Sequence, residues 1–337
     1  MQRRRPVSLI PTDLPRLSLG PTRRHLLLGM GASALMAACG GGGGDDVGGN
    51  GGGSSNPSGT IVVRDDNEFT LVDLASGDAR AIAVRDDGGD GTSASRNRLF
   101  TELWDASGNG HWRVSLLDLD GDTARTHVIS REDYASILLD QAALSADGSR
   151  FACGVSETVT PDSSEFVNKV LVFSSSTGEL LRAVRGVRDP AFTAQGELLA
   201  CGDEGGVHLV NTALDTVEEL PIPETDLLAG ATASPDGRYI AYQFEERIWV
   251  HDRQAGMQWK LTESTLRKVR PVWSPDGKHV ACLGLGSVGE VGVVTGSLVV
   301  FIVPVAAGET VPINAGHLLR TRGDKLVSGS GSIGWSA

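Results

Sequence analysis

Ala233-Ser234-Pro235-Asp236-Gly237-Arg238-Tyr239-Ile240-Ala241-Tyr242 and Trp273-Ser274-Pro275-Asp276-Gly277-Lys278-His279-Val280-Ala281-Cys282 are two versions of one unit. Each opens on a tight turn. Pro presets φ at the second turn position, Asp hydrogen-bonds its own backbone, and Gly takes the positive φ. An apolar run follows that reads as a β-strand. Looser copies precede them at Leu144-Ser145-Ala146-Asp147-Gly148-Ser149-Arg150-Phe151-Ala152-Cys153 and Phe192-Thr193-Ala194-Gln195-Gly196-Glu197-Leu198-Leu199-Ala200-Cys201, with a weaker one at Ser93-Ala94-Ser95-Arg96-Asn97-Arg98-Leu99-Phe100. The steps from one leading Ser or Thr to the next are 52, 48, 41 and 40 residues.

A period of about 40–50 residues, filled by short strands, is the period of a β-propeller blade. Composition agrees: 44 Gly and 14 Pro against 17 aromatics suit many strands joined by turns. A further strand after each turn strand supplies an independent count. It is expected at Phe69–Leu74, Trp112–Leu119, Lys169–Phe173, Gly206–Val210, Arg247–His251 and Ser297–Val303. Six four-stranded blades are therefore expected, with seven as the alternative. The chain ends Ser332-Ile333-Gly334-Trp335-Ser336-Ala337, which reads like Val272-Trp273-Ser274-Pro275 stopped at its turn, whereas residues 60–63 begin as a second strand with no first. The C-terminal strand is expected to complete the N-terminal blade and close the ring, removing an exposed edge.

The repeats resemble the TolB-type, WD40-like propeller repeat, close to Trp-Ser-Pro-Asp-Gly-Lys followed by a strand. The resemblance covers about residues 60–337, closely in two copies and loosely in three. It implies an all-β interaction scaffold. No separate N-terminal domain of the kind TolB carries is seen, so the role of that system is not implied.

Residues 1–38 read as an export address. Arg3, Arg4 and Arg5 open a basic region, an apolar run rich in Gly and Ala follows, and Met36-Ala37-Ala38-Cys39 ends it. Thr22-Arg23-Arg24-His25-Leu26-Leu27 resembles the twin-arginine export motif, centred on Arg23 and Arg24. Ordinary Sec export is the alternative. The last four residues resemble the bacterial lipobox, with Met36 standing where Leu is usual. That resemblance implies acylation of the Cys39 thiol, and two or three acyl chains anchor stably where one does not. Gly40 rather than Asp after it implies an outer-membrane envelope lipoprotein, facing the periplasm or the cell surface. Residues 39–59, nearly all Gly, Ser, Asn and Asp, read as a flexible tether. Its root-mean-square reach is roughly 25 Å. The propeller domain then spans 60–337.

From Cys39 onward there are 24 Lys+Arg against 41 Asp+Glu, a net charge of −17. Such a surface disfavours nucleic acid and anionic head groups, so contact with the membrane is expected through the lipid anchor alone. The expected partner is a protein or peptide, basic in character, bound by a monomer. In a propeller the second-to-third-strand turns and the blade-linking loops share one face. Here that face is acidic: Asp65, Asp66 and Glu68; Glu157, Asp162 and Glu165; Asp203 and Glu204; Glu245 and Glu246. Its loops lengthen at Ser156–Asn168 and Gly284–Gly296. Long loops on a rigid scaffold tend to carry function.

No catalytic constellation, metal site or cofactor is expected. The histidines show no ligand spacing, and no Gly-x-Ser-x-Gly elbow occurs. Gly284-Leu285-Gly286-Ser287-Val288-Gly289 mimics a dinucleotide fingerprint, but a β-rich run follows where a helix is needed. Asp118-Leu119-Asp120-Gly121-Asp122 looks calcium-like but lacks the later loop ligands, and reads as a turn. Cys153, Cys201 and Cys282 occupy one repeat position and are expected as free, buried thiols between blades. A non-catalytic binding scaffold is the favoured reading. The alternatives are a hydrolase or lyase working at the channel mouth, and a module that binds a small ligand or cation.

Overall fold

The computed structural model describes residues 8–10 and most of 56–337. Outside the description lie 1–7, 11–55, 66–67, 84–98, 107–110, 121, 131–141, 159–165, 223–228, 264–266, 286, 289–292, 295–297, 313–316 and 330–331. Cys39, Arg23, Arg24, the export address and the tether therefore fall outside it, apart from Ser8–Ile10 and the last residues before Thr60. Ser8–Ile10 and Pro57–Ala337 belong to one compact unit.

The expected turn chemistry is present, with one addition. In the two close repeats the Gly takes φ 73° and 71° at Gly237 and Gly277. Asp236 Oδ1 accepts from the Arg238 amide at 3.0 Å and Asp276 Oδ1 from that of Lys278 at 3.0 Å. The serine is the unforeseen member. Ser234 Oγ donates to Asp236 Oδ1 at 2.5 Å while accepting from the Tyr239 amide at 2.9 Å. Ser274 and Ser145 repeat the arrangement. One hydroxyl thus ties the turn to the strand that leaves it. Where Gln195 replaces Asp, Thr193 Oγ1 accepts from the Glu197 amide at 3.1 Å and Gly196 keeps φ 84°.

Among the described residues the fold is an all-β propeller of five blades. The first pairs Ile333–Ser336, Thr60–Asp65, Glu68–Asp73 and Ala79–Ala83. The second holds Ala142–Leu144, Arg150–Thr158, Phe166–Ser174 and Leu180–Arg185, and the third Val187–Phe192, Leu198–Gly202, Val207–Val210 and Val217–Leu220. The fourth runs Ala229–Ala233, Tyr239–Phe244, Arg247–Asp252 and Met257–Lys260. The fifth holds Lys268–Trp273, His279–Gly284, Leu298–Pro304 and Ser328–Gly329.

Six or seven blades are thereby corrected to five. All six stretches expected as third strands are strands, but the second of them belongs to a sheet that has three strands among the described residues: Leu99–Ala106, His111–Asp118 and Thr123–Ser130. The physical reason is visible in the weakest repeat. Ser93–Phe100 has neither Pro nor Gly to set a turn, and residues 84–98, which would carry an inner strand, lie outside the description. This sheet packs Leu117 and Leu119 against Val62 and Phe69 of the first blade. Its Val114 and Leu116 meet Ala142 and Phe151 of the second.

The C-terminal segment pairs antiparallel with the first blade's N-terminal strand, in the register Ile61↔Trp335 and Val63↔Ile333. Trp335 Nε1 donates to the Ser58 carbonyl at 2.9 Å. Gly59, at φ 99°, passes so close to Ser336 that a Cβ there would collide with its carbonyl oxygen.

Apolar clusters sit between sheets. Leu199, Cys201 and Val207 of the third blade meet Ile240 and Tyr242 of the fourth. Ile248, Val250 and Trp259 of the fourth meet Trp273, Val280 and Cys282 of the fifth. The three cysteines are free and fully buried, as expected, and burial pushes each thiol up to about 12. They are expected to resist a water-soluble thiol reagent until the chain unfolds, when all three react together. Reaction in the native state at the rate of a free thiol would contradict this packing.

Candidate functional site

Two features face the ends of the blades: an axial channel and a rim of hairpin turns. The channel, with a cavity of about 170 Å³, is walled by inner strands from all five blades, through Ala142–Leu144, Pro190–Phe192, Gly230–Ala233, Arg270–Trp273 and Ser332–Trp335. Its lining is mostly Ala, Pro and Gly, with Arg270 the one ionisable lining residue among those described. Three consecutive inner strands bulge at equivalent places. The register shifts between Arg188 and Ala191, between Ala229 and Thr232, and between Val269 and Val272. At each shift one residue turns left-handed: Asp189 at φ 53°, Gly230 at 58° and Arg270 at 55°. Bulges of this kind bend a strand and re-aim its side chains. Asp189 is buried and is held by Arg188 Nη1 at 2.7 Å, with the Gly230 amide donating to it at 3.4 Å. It therefore serves to lock the third blade to the fourth.

The rim is made by the second-to-third-strand turns. Glu245 and Glu246 form a two-residue hairpin loop closed by the Phe244↔Arg247 pair. Both are exposed, and both have positive φ, 49° and 62°. That backbone is the one Asn-Gly or Gly-Gly normally occupies, because a Cβ is disfavoured there. The Lys268 amide donates to the Glu246 carbonyl at 2.7 Å, fixing the loop to the fifth blade. Replacing Glu245 by Asn and Glu246 by Gly is expected to raise unfolding stability by about 1–2 kcal/mol in a urea titration. An unchanged or lower midpoint would mean that the loop stores no strain.

The other acidic candidates divide. Asp203 is half-buried, and Asn168 of the second blade donates to its two oxygens, from Nδ2 at 2.7 Å and from its amide at 3.3 Å. Ser156 Oγ in turn donates to Asn168 Oδ1 at 2.6 Å. Asp203 thus joins two blades. Glu204 beside it is exposed, as is Glu68, while Asp65 is half-exposed and pairs with Glu68 across the first blade's hairpin. Glu157 lies in a strand, and Asp66, Asp162 and Glu165 lie outside the described residues.

The long loops are described only in part. The two ends of Ser156–Asn168 extend the second blade's hairpin, whose strands pair out to Thr158↔Phe166, and 159–165 lie outside the described residues. Part of Gly284–Gly296 is a small hairpin pairing Ser287–Val288 with Val293–Val294, so the strand context of that Gly-rich run holds. Phe166, at the outer end of the second blade's hairpin, is 53% exposed. Sequence reading passed over it. An aromatic directly after Ser-Ser-Glu in a loop was the available signal. An exposed aromatic beside charge is a usual anchor for a bound polypeptide.

Asp118, His251 and His279 have structural surroundings. Asp118 Oδ1 accepts from the amides of Asp120 and Asp122 at 2.9 and 3.0 Å, which makes the calcium-like run a turn. His251 and His279 are buried, and burial pushes both below the usual imidazole range. Among the described residues no group of three His, Cys, Asp or Glu is placed to hold a metal, and no helix is long and apolar enough to cross a membrane.

No family model matches this chain, and no curated protein matches it. Solved structures do. TolB from Acinetobacter baumannii superposes with a TM-score of 0.52 at 17% identity, over 74% of this chain and 62% of that one. This chain thus spans less than two thirds of that TolB. The nidogen/laminin complex gives 0.53 at 12% identity, over 72% and 89%. An oligogalacturonate lyase from Vibrio parahaemolyticus gives 0.45 at 13% identity, over 80% and 78%. At such identities the likeness is one of fold, and what it establishes is an all-β propeller with TolB among its structural neighbours.

Proposed function

We propose that this chain is an exported envelope lipoprotein, anchored through Cys39 and a Gly-rich tether, whose propeller binds a basic protein or peptide on its hairpin-turn rim. The observation that carries the binding reading is the Glu245–Glu246 turn. Two exposed carboxylates sit on a backbone that a Gly-containing pair would adopt at lower cost. Strain kept at an exposed turn on a rigid scaffold is a mark of use. Phe166 adds an apolar anchor on another hairpin. On this reading the three-stranded sheet and the Ile333–Ser336 strand together complete the ring, so the rim is a continuous platform.

Chemical crosslinking of the lipidated protein in native envelopes tests the rim. The wild type is expected to yield a discrete adduct that weakens at high salt, as screened charge contacts do. In the Glu245→Lys/Glu246→Lys chain the adduct is expected to fall at least about tenfold, and in Phe166→Ala about fivefold, with an unchanged urea midpoint in both. An adduct that persists undiminished in both variants sinks the rim as the binding face. The anchor has its own test. Cys39→Ser is expected to move the protein from the membrane pellet to the soluble fraction, and a pellet-bound variant would refute acylation at Cys39.

A further inference from the structure

The outer strand of a propeller blade leaves one row of N–H and C=O groups without a partner strand. In the five blades the outer strands are Ala79–Ala83, Leu180–Arg185, Val217–Leu220, Met257–Lys260 and Ser328–Gly329, of 5, 6, 4, 4 and 2 residues. Short length and charge are the usual protections of such edges, and Glu218 and Glu219 supply charge in the third blade. Leu180–Arg185 is the longest of these five, though Thr123–Ser130 of the three-stranded sheet runs to 8 residues. Among the described residues, Leu180–Arg185 alone of the five is covered by an added strand. Ser8–Ile10 adds to it antiparallel as a fifth strand, in the register Ser8↔Arg185, Leu9↔Val184 and Ile10↔Ala183.

The added strand is short for a reason readable in the chain. Pro6 and Pro11 bracket Val7-Ser8-Leu9-Ile10, and a proline has no amide hydrogen to give a sheet. Three residues bring mainly backbone hydrogen bonds, so any extended segment could replace them. Ser8–Ile10 also belongs to residues 1–38, which the export reading removes. Once they are gone, the longest outer edge of the five blades loses its cover.

We propose that the Leu180–Arg185 edge is a strand-addition site for an extended, acid-flanked segment of a partner polypeptide, occupied by Ser8–Ile10 while residues 1–38 remain. The proposal of vacancy rests on the export reading given above. The edge has what such a site needs. Gly178 and Gly186, at φ 74° and 79°, bound the strand at its two ends and limit the length a guest can pair with. Leu181 is 37% exposed and offers an apolar contact. Arg182 and Arg185 are half-exposed on a domain with excess acid, so the edge is locally basic and favours acidic flanks. Arg182 Nε donates to the Leu214 carbonyl at 2.6 Å, which braces the edge against the third blade. The rim and this edge are different surfaces of opposite charge, so they would take different segments.

Amide hydrogen exchange on the full-length chain and on its Leu9→Pro variant tests this, because Leu9 lies outside the blades. In the variant, alternate amides of residues 180–185 are expected to exchange about tenfold faster or more, with the other blades unchanged. Adding the peptide Asp-Asp-Val-Ser-Leu-Ile-Asp-Asp is expected to restore the protection. A peptide with the same centre and Lys flanks should need at least about fivefold more at low salt. Equal exchange in the two chains, or no protection by either peptide, overturns the site. Equal binding of the two peptides overturns the acidic partner. Both chains retain residues 1–38, so these results do not depend on export processing. Envelope-purified protein whose mass still includes residues 1–38 would overturn the vacancy and the partner site, while leaving the Ser8–Ile10 pairing intact. Peptide protection that survives Glu245→Lys/Glu246→Lys separates this site from the rim, and protection lost there would overturn it as a separate surface.

Discussion

Trp335→Ala is expected to destabilise the propeller by about 3–5 kcal/mol, and removal of Ile333–Ala337 to abolish cooperative unfolding. Trp335 is 5% exposed and lies in one cluster with Ile61, Val63, Val269 and Leu283, so it joins the first blade to the fifth. Truncation leaves a cavity between them and removes the indole N–H that the Ser58 carbonyl accepts. For a domain of this size the melting midpoint should fall by roughly 10 °C. Removing the strand goes further, since it uncovers the backbone edge of Thr60–Val63, where Ile61, Val62 and Val63 are fully buried. The measurement is a urea titration followed by tryptophan fluorescence, with light scattering to detect association. A truncated chain that unfolds in one transition at the wild-type midpoint would show that the strand is dispensable.

The second large effect is expected at Asp252. Its carboxylate is 2% exposed, accepts from Arg238 Nη2 at 2.6 Å, and also accepts from the amides of Gln254 and Ala255. The hydrogen bond from Arg238 holds this carboxyl down at about 2. Asp147, hydrogen-bonded by Ser145 and Ser149, is also held near 2. A carboxyl depressed in the folded state binds fewer protons than in the unfolded one. The stability it contributes is present above the unfolded value near 4 and is lost as pH falls toward 2. For Asp252 that contribution is about 1–2 kcal/mol, because Arg238 is 37% exposed and solvent screens the pair. Asp252→Ala is expected to cost about 3 kcal/mol at pH 7, since two amides and the guanidinium lose their acceptor.

Asp252→Asn should flatten the pH dependence between 4 and 2. His251 and His279 act at higher pH. Burial lowers both, so the folded state resists their protonation, and stability should fall as pH drops below about 6.5. Denaturant midpoints from pH 7 to 2 would show both windows. A wild-type profile flat from 4 to 2, or an Asn variant with an unchanged slope there, would refute the assignment to Asp252.

Legibility in the sequence followed the range of the interactions. The Ser-Pro-Asp-Gly turn could be read because its bonds join residues within five positions of one another. Each copy carries its own instructions, and the repeat period and strand positions follow from counting copies. Even the pairing of the C-terminal strand could be read, since Gly334–Ser336 repeats a pattern seen whole at Val272–Ser274. The blade count was legible only where the repeat was strong. Ser93–Phe100 lacks the turn residues, and a strand count alone cannot distinguish a sheet of three from a sheet of four.

What the tertiary structure alone decided were the roles of side chains that look alike in sequence. Asp203 and Glu245 both read as rim acids. Asp203 is committed to Asn168 across a blade interface, while Glu245 stands exposed on a strained turn. Neither the partner nor the backbone sign of φ is written in nearby residues, since both depend on packing between elements dozens of positions apart. The same holds for Ser8–Ile10, whose short run between prolines acquires meaning only from an open edge some 170 residues later. The sequence by itself determined the turns, the strands and the acidic charge. Contacts distant along the chain decided how many blades form, which acids remain exposed, and which edge is covered.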